Sequence, residues 1–513
     1  MEQSLNTSKY EIVLPLPDDP SLALAVNGLY GAIDIVTAEE GRILTGSMQR
    51  AASLASLSGD TAKRLASRGH IVPNGDDWEL ENAKIISRLH WLIPYRKFVD
   101  IVIMPTYNCN FRCEYCFERA RLERDRDWLE HRMTGKTLEA LFAQLDALKA
   151  RGIVTRKMIL YGGEPLLVSS KPLVAEIIRR CRERGIHLVA VTNGYELNHF
   201  IELFPRDLTD FLQITVDGPA PVHDSRRFLV GGKGSFERIM ENIRLAVDAG
   251  ITVNVRTNVN RSNLRQAIEL IGEYRRRGLL DDPHFHFYYK ATLGCYEDDP
   301  ENAITDEDVY HSLLESGLDA RKAISLSRIH MGMAEFAIKA FEKEAYPQLK
   351  PSFCGAHSDM LVVDPDGVLY ACWDMVSMEE HSVGFLDVDS ARFMYNFNLP
   401  RWRTRTADNM EKCRQCPLIM LCGGGCAVES EAMYGDRNVG YCGSMKEAFA
   451  DVAPLLCGGK YGETGEKSLS LSFYELFDNL TEEERQILLT TTNSEQAWEI
   501  AKARMTSGRK IFS

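Results

Sequence analysis

The sequence predicts an α/β fold: an open, partial (β/α)6 barrel, preceded by a small winged-helix-like module and followed by a cysteine-rich domain. Two observations predict it. Apolar strand-like runs alternate with amphipathic helical runs between about 99 and 290, which is the pattern of a parallel sheet with crossover helices. Ten of the thirteen cysteines fall into two tight groups, one just after the first of those strands and one well beyond the last.

Residues 1–95 read as the N-terminal module. A strand-like KYEIVLPL is followed by a turn signal at Asn27-Gly28 and two helical patterns, the second with Asp60 as N-cap and Gly69 as stop. Residues 96–302 carry six strands, FVDIVIM, KMILYG, HLVAVT, FLQITV, TVNVRTNV and HFHFYY, separated by helical runs such as TLEALFAQLDALKA, PLVAEIIRRCRERG and FERIMENIRLAVDAG. Six units suit an open barrel rather than a closed eightfold one, with functional loops at the C-terminal strand ends. Residues 303–350 read as a helical connection and 351–457 as the cysteine-rich domain. Residues 458–513 read as a helical tail, with a capping box at Thr481 and Glu484.

Composition narrows the function classes. Hydrophobic content of 45% and charged content of 26% suit a soluble globular chain. No apolar run reaches membrane-spanning length, and the first residues lack signal-peptide character, so a cytoplasmic protein without a membrane partner is expected. A net charge of −13 argues against nonspecific nucleic-acid binding. In a reducing cytosol, clustered cysteines read as metal ligands or redox groups rather than disulfides.

The first group is Cys109, Cys113 and Cys116, in PTYNCNFRCEYCFE. Three thiolates at this spacing can wrap one cubane cluster and leave one iron open to a small chelating molecule. A zinc site would need a fourth ligand such as His, and none is near in sequence. C-x3-C-x2-C after the first strand, with an aromatic (Tyr115) before the third cysteine, resembles the signature of the radical S-adenosylmethionine (radical SAM) superfamily. The resemblance implies a 4Fe–4S cluster whose open iron binds S-adenosylmethionine and whose electron cleaves it to methionine and a 5′-deoxyadenosyl radical. It also implies cofactor contacts at successive strand ends: Gly162, Gly163, Glu164 and Pro165 after the second strand, and Thr192 and Asn193 after the third. Gln213 and Thr215 of QITVDG follow on the fourth strand, with Arg256 and Asn258 on the fifth. Arg256 is the expected partner of the methionine carboxylate. His223, Asp224 and Arg227 read as a structural hydrogen-bond cluster.

The second group has Cys354, then Gly367 and Cys372, then Cys413-x2-Cys416-x5-Cys422-x3-Cys426, and finally Cys442. A pair of zinc ribbons would use similar spacings. The pattern resembles the seven-cysteine SPASM arrangement of radical SAM enzymes that modify peptides and proteins. That resemblance implies two auxiliary 4Fe–4S clusters, three clusters in all. Cys413, Cys416, Cys422 and Cys442 would ligate one, and Cys354, Cys372 and Cys426 the other. Sulfatase-maturing relatives carry a further cysteine where this chain has Met360, so Cys295 or Cys457 completes that site or one iron stays open. They also carry an aspartate where this chain has Trp373. If the segment is extended, Asp374 points away from that aspartate's position.

The implied function is oxidative crosslinking, through a thioether, carbon–carbon or carbon–oxygen bond, of a ribosomally made precursor peptide. Its leader would be held by the N-terminal module, which could otherwise be a plain cap. Electrons would come from an external donor such as flavodoxin or ferredoxin, and Asp217 or Asp374 would be the proton acceptor. The alternatives are formylglycine formation of the sulfatase-maturing type and a non-catalytic iron–sulfur electron-transfer or scaffold protein.

Overall fold

The computed structural model describes residues 5–46, 54, 56–73, 76–92, 98–116, 118, 127–296, 299–328, 348–376, 378–457, 467–468 and 470–505. They divide into two compact units that do not follow chain order. Met1–Pro94, His330–Cys354 and Thr404–Ser513 make the first, and Tyr95–Ile329 and Gly355–Arg403 the second. Among the described residues no helix is long and apolar enough to cross a membrane.

The first unit opens with strands β1 (Leu5–Thr7), β2 (Glu11–Leu16), β3 (Asp19–Asn27), β4 (Ile33–Thr37) and β5 (Ile71–Pro73). β2, β3 and β4 form an antiparallel meander, and the short strand Lys467–Ser468 pairs with the β4 edge. The expected turn after Asn27 is present: its side-chain oxygen accepts the N–H groups of Leu29 and Tyr30 at 3.0 and 2.9 Å. β3 and β4 go beyond the one strand the sequence suggested. The helix Gly59–Ser67 is capped by Ser58, whose hydroxyl accepts from the Thr61 N–H, and not by Asp60, which sits in the first turn. There its charge complements the helix dipole.

The module and the tail are not separate domains. Tyr10, Leu24, Tyr30 and Leu89 share one hydrophobic cluster with Met410, Leu421, Phe449, Tyr474, Leu488 and Ala501. The boundary expected at 457 is therefore bridged by packing, whereas the one expected at 95 falls where the two units divide. The tail helices lie at Tyr474–Asp478, Glu482–Thr490 and Ser494–Arg504, and the capping box at Thr481 and Glu484 is formed.

One buried polar knot ties β2, β4 and the approach to β5. The fully buried His70 ring contacts Glu11 at 2.9 Å through Nδ1 and Asp34 at 2.7 Å through Nε2, and Arg68 Nε donates to Asp34 at 2.6 Å. Burial pulls the His70 pKa down, but Glu11 and Asp34 outweigh it and raise it to about 9. A His raised from 6.5 stabilises the fold fully below the unfolded value and loses that contribution as pH rises through about 9. The stake is on the order of 3 kcal/mol. Thermal melts of the wild-type protein should therefore show a melting temperature that declines between those two values. His70→Gln should be less stable at the acid end and lack that slope. A variant that kept the same slope would remove His70 as its source.

The second unit is an open sheet of ten strands. β6 (Phe98–Ile103), β7 (Val154–Leu160), β8 (His187–Thr192), β9 (Thr209–Thr215), β10 (Val253–Val259) and β11 (Phe285–Ala291) lie side by side in chain order and are parallel throughout. All six predicted strands are found. Helices Gly135–Ala150, Lys171–Arg184 and Phe236–Asp248 cross between them; the last buries Phe236, Ile239, Met240, Ile243, Ala246 and Val247 at helical spacing.

The sheet does not stop at β6. β12 (Met360–Val363) adds in parallel to its outer edge, and β13 (Val368–Tyr370), β14 (Ser382–Asp387) and β15 (Arg392–Tyr395) continue antiparallel. The expected cysteine-rich domain 351–457 is therefore divided between the units. The apolar run Met-Leu-Val-Val finds its backbone partners on the open edge of β6. Gly367 turns β12 into β13 at φ +83°, a left-handed position that disfavours a side chain. Of the helical connection 303–350, helices Asp306–Glu315 and Ala320–Ser327 are described and residues 329–347 lie outside the described set.

Candidate radical SAM site

The second unit gathers its chemistry at the C-terminal ends of β6 to β10. Cys109, Cys113 and Cys116 follow β6 on one loop. Burial pushes all three thiols up; those of Cys109 and Cys116 are raised further by neighbouring thiols and by Glu164 and Glu118 respectively, whereas Arg227 and Arg226 counteract the rise at Cys113.

The GGEP segment after β7 meets this loop through the backbone. Gly163 N–H donates to Thr106 O at 3.3 Å and Glu164 N–H to Asn108 O at 2.8 Å. A Cβ on Gly163 would sit 2.2 Å from Tyr107 O. Glycine is thus required by the chain's own cysteine loop. The Glu164 carboxylate is buried and accepts from Thr192 Oγ1 at 2.5 Å, Asn193 N at 2.6 Å and Leu166 N at 2.9 Å. Burial holds its pKa up, at about 7, against those donors. Thr192 and Asn193 thus orient Glu164, and Asn193 also donates to Asn110 in the cysteine loop at 2.7 Å.

Tyr115 and Asp217 form the second tie. The Tyr115 hydroxyl donates to Asp217 and accepts from Arg227 Nη1 at 2.7 Å and Asn258 Nδ2 at 3.2 Å. Asp217 is fully buried, accepts the Asn258 N–H at 3.1 Å and lies 3.7 Å from Arg226 Nε. Its oxygens hold the cysteine loop on β9 and β10. Arg256 Nε donates to Asn258 Oδ1 at 2.7 Å, and Gln213 accepts from Tyr288 at 2.8 Å. Thr215 lies opposite Arg256 in the β9–β10 ladder.

Asp374 does not follow the extended geometry expected of it. Trp373–Met375 is a 3-10 turn; Trp373 stacks on Tyr161 with ring centroids 5.3 Å apart, and Asp374 turns inward, 3.8 Å from Cys372 Sγ. Burial raises its pKa, opposed by Arg256. Tyr296 shares this environment, and burial followed by the Asp374 charge raises its phenol. Met360 packs against a core that includes Trp128, Val362 and Tyr370, so that position supplies no ligand.

In the first unit, Cys413, Cys416, Cys422 and Cys442 influence one another electrostatically, and burial pushes Cys413 to about 12. Arg405 sits among them, 1% exposed. It donates to Gly425 O at 2.8 Å, Gly424 O at 3.2 Å, Ser430 Oγ at 3.1 Å, Val439 O at 3.3 Å and the Arg437 carbonyl. Its charge meets neutral acceptors and the thiols of Cys426, Cys354, Cys413 and Cys422. Cys354 and Cys426 belong to the first unit and Cys372 to the second. Cys457 is buried in the first unit's core and donates to Ala453 O at 3.3 Å, while Cys295 is exposed.

Three half-buried thiols on one loop, raised by their surroundings, stay protonated until a cation lowers their pKa. Beside them, Arg226 Nε and Nη2, Arg227 Nε and Asn110 Nδ2 are buried donors with no partner among the described residues. Thiols together with spare N–H donors fit an anionic iron–sulfur cluster. Residues 103–272 match the Radical SAM superfamily. The chain carries a radical SAM domain. The radical SAM relatives include a cysteine-type anaerobic sulfatase-maturating enzyme of Clostridium novyi (strain NT), 24% identical over 69% of this chain and 95% of the relative. A PqqA peptide cyclase of Methylorubrum extorquens (strain PA1) is 21% identical over 66% of this chain and 84% of the relative. The solved structure "Native anSMEcpe with bound AdoMet and Cp18Cys peptide" superposes with a TM-score of 0.52 at 18% identity, over 70% of this chain and 98% of that one. It shares the radical SAM α/β fold.

The radical SAM unit thus unites Tyr115, Gly162, Gly163, Glu164, Thr192, Asn193, Asp217 and Asn258 with the cysteine loop. The sequence reading missed the Tyr161–Trp373 stack, Arg226, Arg405 and Glu118. Burial raises the Glu118 carboxyl to about 8, and its Oε1 has no partner among the described residues. Only the Glu in CFE marked it; nothing in the sequence marks the other three as buried.

Proposed function

We propose that the chain is a peptide maturase that removes two hydrogens from a ribosomally made precursor and closes a crosslink, thioether, carbon–carbon or carbon–oxygen. The observation that carries this reading is Asp374, a half-buried carboxylate 3.8 Å from Cys372 Sγ whose rise in pKa is opposed by Arg256, in the radical SAM unit. Oxidation of this kind needs a base for the proton left behind after the first hydrogen atom is taken, whereas methyl transfer and epimerisation do not need an inward carboxylate.

Cys109, Cys113 and Cys116 would hold a 4Fe–4S cluster that, with S-adenosylmethionine, would supply the radical chemistry that removes that hydrogen atom. Glu164, oriented by Thr192 and Asn193, receives the methionine ammonium, and Arg256 its carboxylate. Gly162, Pro165, Gln213, Thr215 and Asn258 shape the ribose side. Tyr115 and Asp217 anchor the loop rather than touch the reacting atoms. Asp374 accepts the proton, and the Tyr161–Trp373 stack walls the substrate space beside it. By their spacing in sequence, Cys413, Cys416, Cys422 and Cys442 as one set, and Cys354, Cys372 and Cys426 as another, would be the SPASM-type ligands of two auxiliary 4Fe–4S clusters, which would give the remaining electron an outlet. Flavodoxin or ferredoxin is the class of external donor. A leader peptide adds as a strand to the meander; the β4 edge already carries Lys467–Ser468, which leaves β2 as the receiving strand.

A second reading, formylglycine formation, is favoured by the inward turn of Asp374, because the Trp373 substitution no longer excludes a carboxylate at the site. One experiment separates them. Reconstituted protein is incubated anaerobically with S-adenosylmethionine and the small peptide encoded beside its gene, deuterated at the reacting carbon. Crosslinking gives deuterium in 5′-deoxyadenosine and a peptide two hydrogens lighter that does not react with hydroxylamine. A hydroxylamine-reactive product establishes formylglycine instead. Unchanged peptide mass or a gained methyl group rejects both, and no 5′-deoxyadenosine at all leaves the electron-transfer scaffold.

A further inference from the structure

We propose that Arg227 is a positioning residue for the cysteine loop whose buried charge raises the reduction potential of the cluster held there. The inference rests on the reading that Cys109, Cys113 and Cys116 hold that cluster, and it adds what sets its potential.

The geometry begins with the backbone. Arg112 N–H donates to Phe228 O at 3.1 Å, Val230 N–H donates to Asn110 O at 2.8 Å, and Phe111 bridges Leu229. The segment after Arg227 is therefore paired like a strand with the loop between Cys109 and Cys113. Behind it, Asp224 accepts the N–H groups of Ser235 and Phe236 at 2.7 and 2.9 Å, and Ser235 donates to Arg227 O at 2.7 Å. Arg227 is thus held in place from both sides.

Its guanidinium is under-used by the protein. Nη1 donates to Tyr115, the cation lies 5.7 Å from the Phe111 ring centroid, and buried Nε has no partner among the described residues. Asp217, the nearest carboxylate in the network, is shared with Tyr115, the Asn258 N–H and Arg226. Glu164, the carboxylate after β7, is occupied by Thr192, Asn193 and Leu166 as its donors. Tyr115, which accepts from Arg227 Nη1 at 2.7 Å, lies between Cys113 and Cys116 in the chain, so the guanidinium is held against the ligand loop.

A buried cation with a spare N–H beside a thiolate ligand has a definite electrostatic effect. Reduction adds one negative charge to the cluster, and a fixed positive charge in a low-dielectric site stabilises the reduced form. Hydrogen bonds to ligand sulfur act in the same direction. The Asp224 and Ser235 contacts behind Arg227 keep the guanidinium on that side of the loop.

The test is a redox titration of full-length, anaerobically reconstituted protein, following the paramagnetic resonance signal that changes when S-adenosylmethionine is added. In Arg227→Gln the ratio of reduced to oxidised cluster at a given poise should fall about tenfold, about 59 mV for a one-electron couple, with iron content unchanged. Arg227→Lys, which keeps the charge, should recover most of the shift. Tyr115→Phe, which removes the hydroxyl contact but keeps the guanidinium, should stay near the wild-type potential. An unshifted Arg227→Gln overturns the inference. So does a Tyr115→Phe that matches Arg227→Gln without recovery by Lys, the signature of a mechanical tether. Should Arg227→Gln lose its iron, Arg226→Gln gives the deciding reading: a shift in the same direction supports the inference and no shift overturns it. A wild-type protein without any S-adenosylmethionine-responsive signal would instead remove the cluster reading beneath it.

Discussion

Replacing Cys109, Cys113 and Cys116 together by Ala is expected to abolish S-adenosylmethionine cleavage and to lower the iron of the reconstituted chain from about twelve atoms to about eight. The effect should be complete because no other described cysteine shares that loop. The fold should survive, because the loop is held by contacts that do not involve sulfur. Glu164 N–H bonds Asn108 O, Val230 N–H bonds Asn110 O, and Tyr115 bonds Asp217. Iron analysis, 5′-deoxyadenosine assay and circular dichroism on the same preparation check all three parts. Zinc in place of iron at the later cysteines would end the three-cluster reading, and residual cleavage in the triple variant would relocate the radical site.

Asp374→Asn is expected to lower modified peptide by about 10²–10⁴-fold, the usual contribution of a positioned base, while 5′-deoxyadenosine still forms. The two carboxamide and carboxylate groups are nearly the same size, so packing against Trp373 and Met375 is kept and the basic oxygen is lost. Arg256, whose charge opposes the burial that raises Asp374, would lose its counter-ion. The informative quantity is therefore the ratio of product to 5′-deoxyadenosine. A fall in that ratio identifies the proton acceptor. An equal fall in both would assign Asp374 to cofactor binding through Arg256, and no fall would return the role to another group.

Local pattern made the barrel strands legible. Runs such as HLVAVT are β-branched and flanked by turn signals, and the observed β8 coincides with that run. The cysteine loop, GGEP and the strand-end residues were legible for the same reason, since each lies within a few residues of a recognisable strand. Asp374 was misjudged because its direction depends on a 3-10 turn, stabilised by the Trp373–Tyr161 stack with a residue more than two hundred positions away. Asp60 was misassigned as a cap because Ser58, two residues earlier, offers an equally good acceptor.

By itself, the sequence determined the six-strand parallel core, the three-thiol loop after its first strand and the radical SAM character of that domain. Those features rest on short-range periodicity and spacing. Tertiary structure alone decided that β12 to β15 extend the barrel sheet, that residues 1–94 share a core with 404–513, and that Arg227 and Arg405 are buried beside thiols. Each of these is a long-range contact: an open strand edge, an apolar cluster shared by distant segments, or a charge whose partners arrive from elsewhere in the chain. No local window of sequence carries the energy that selects them.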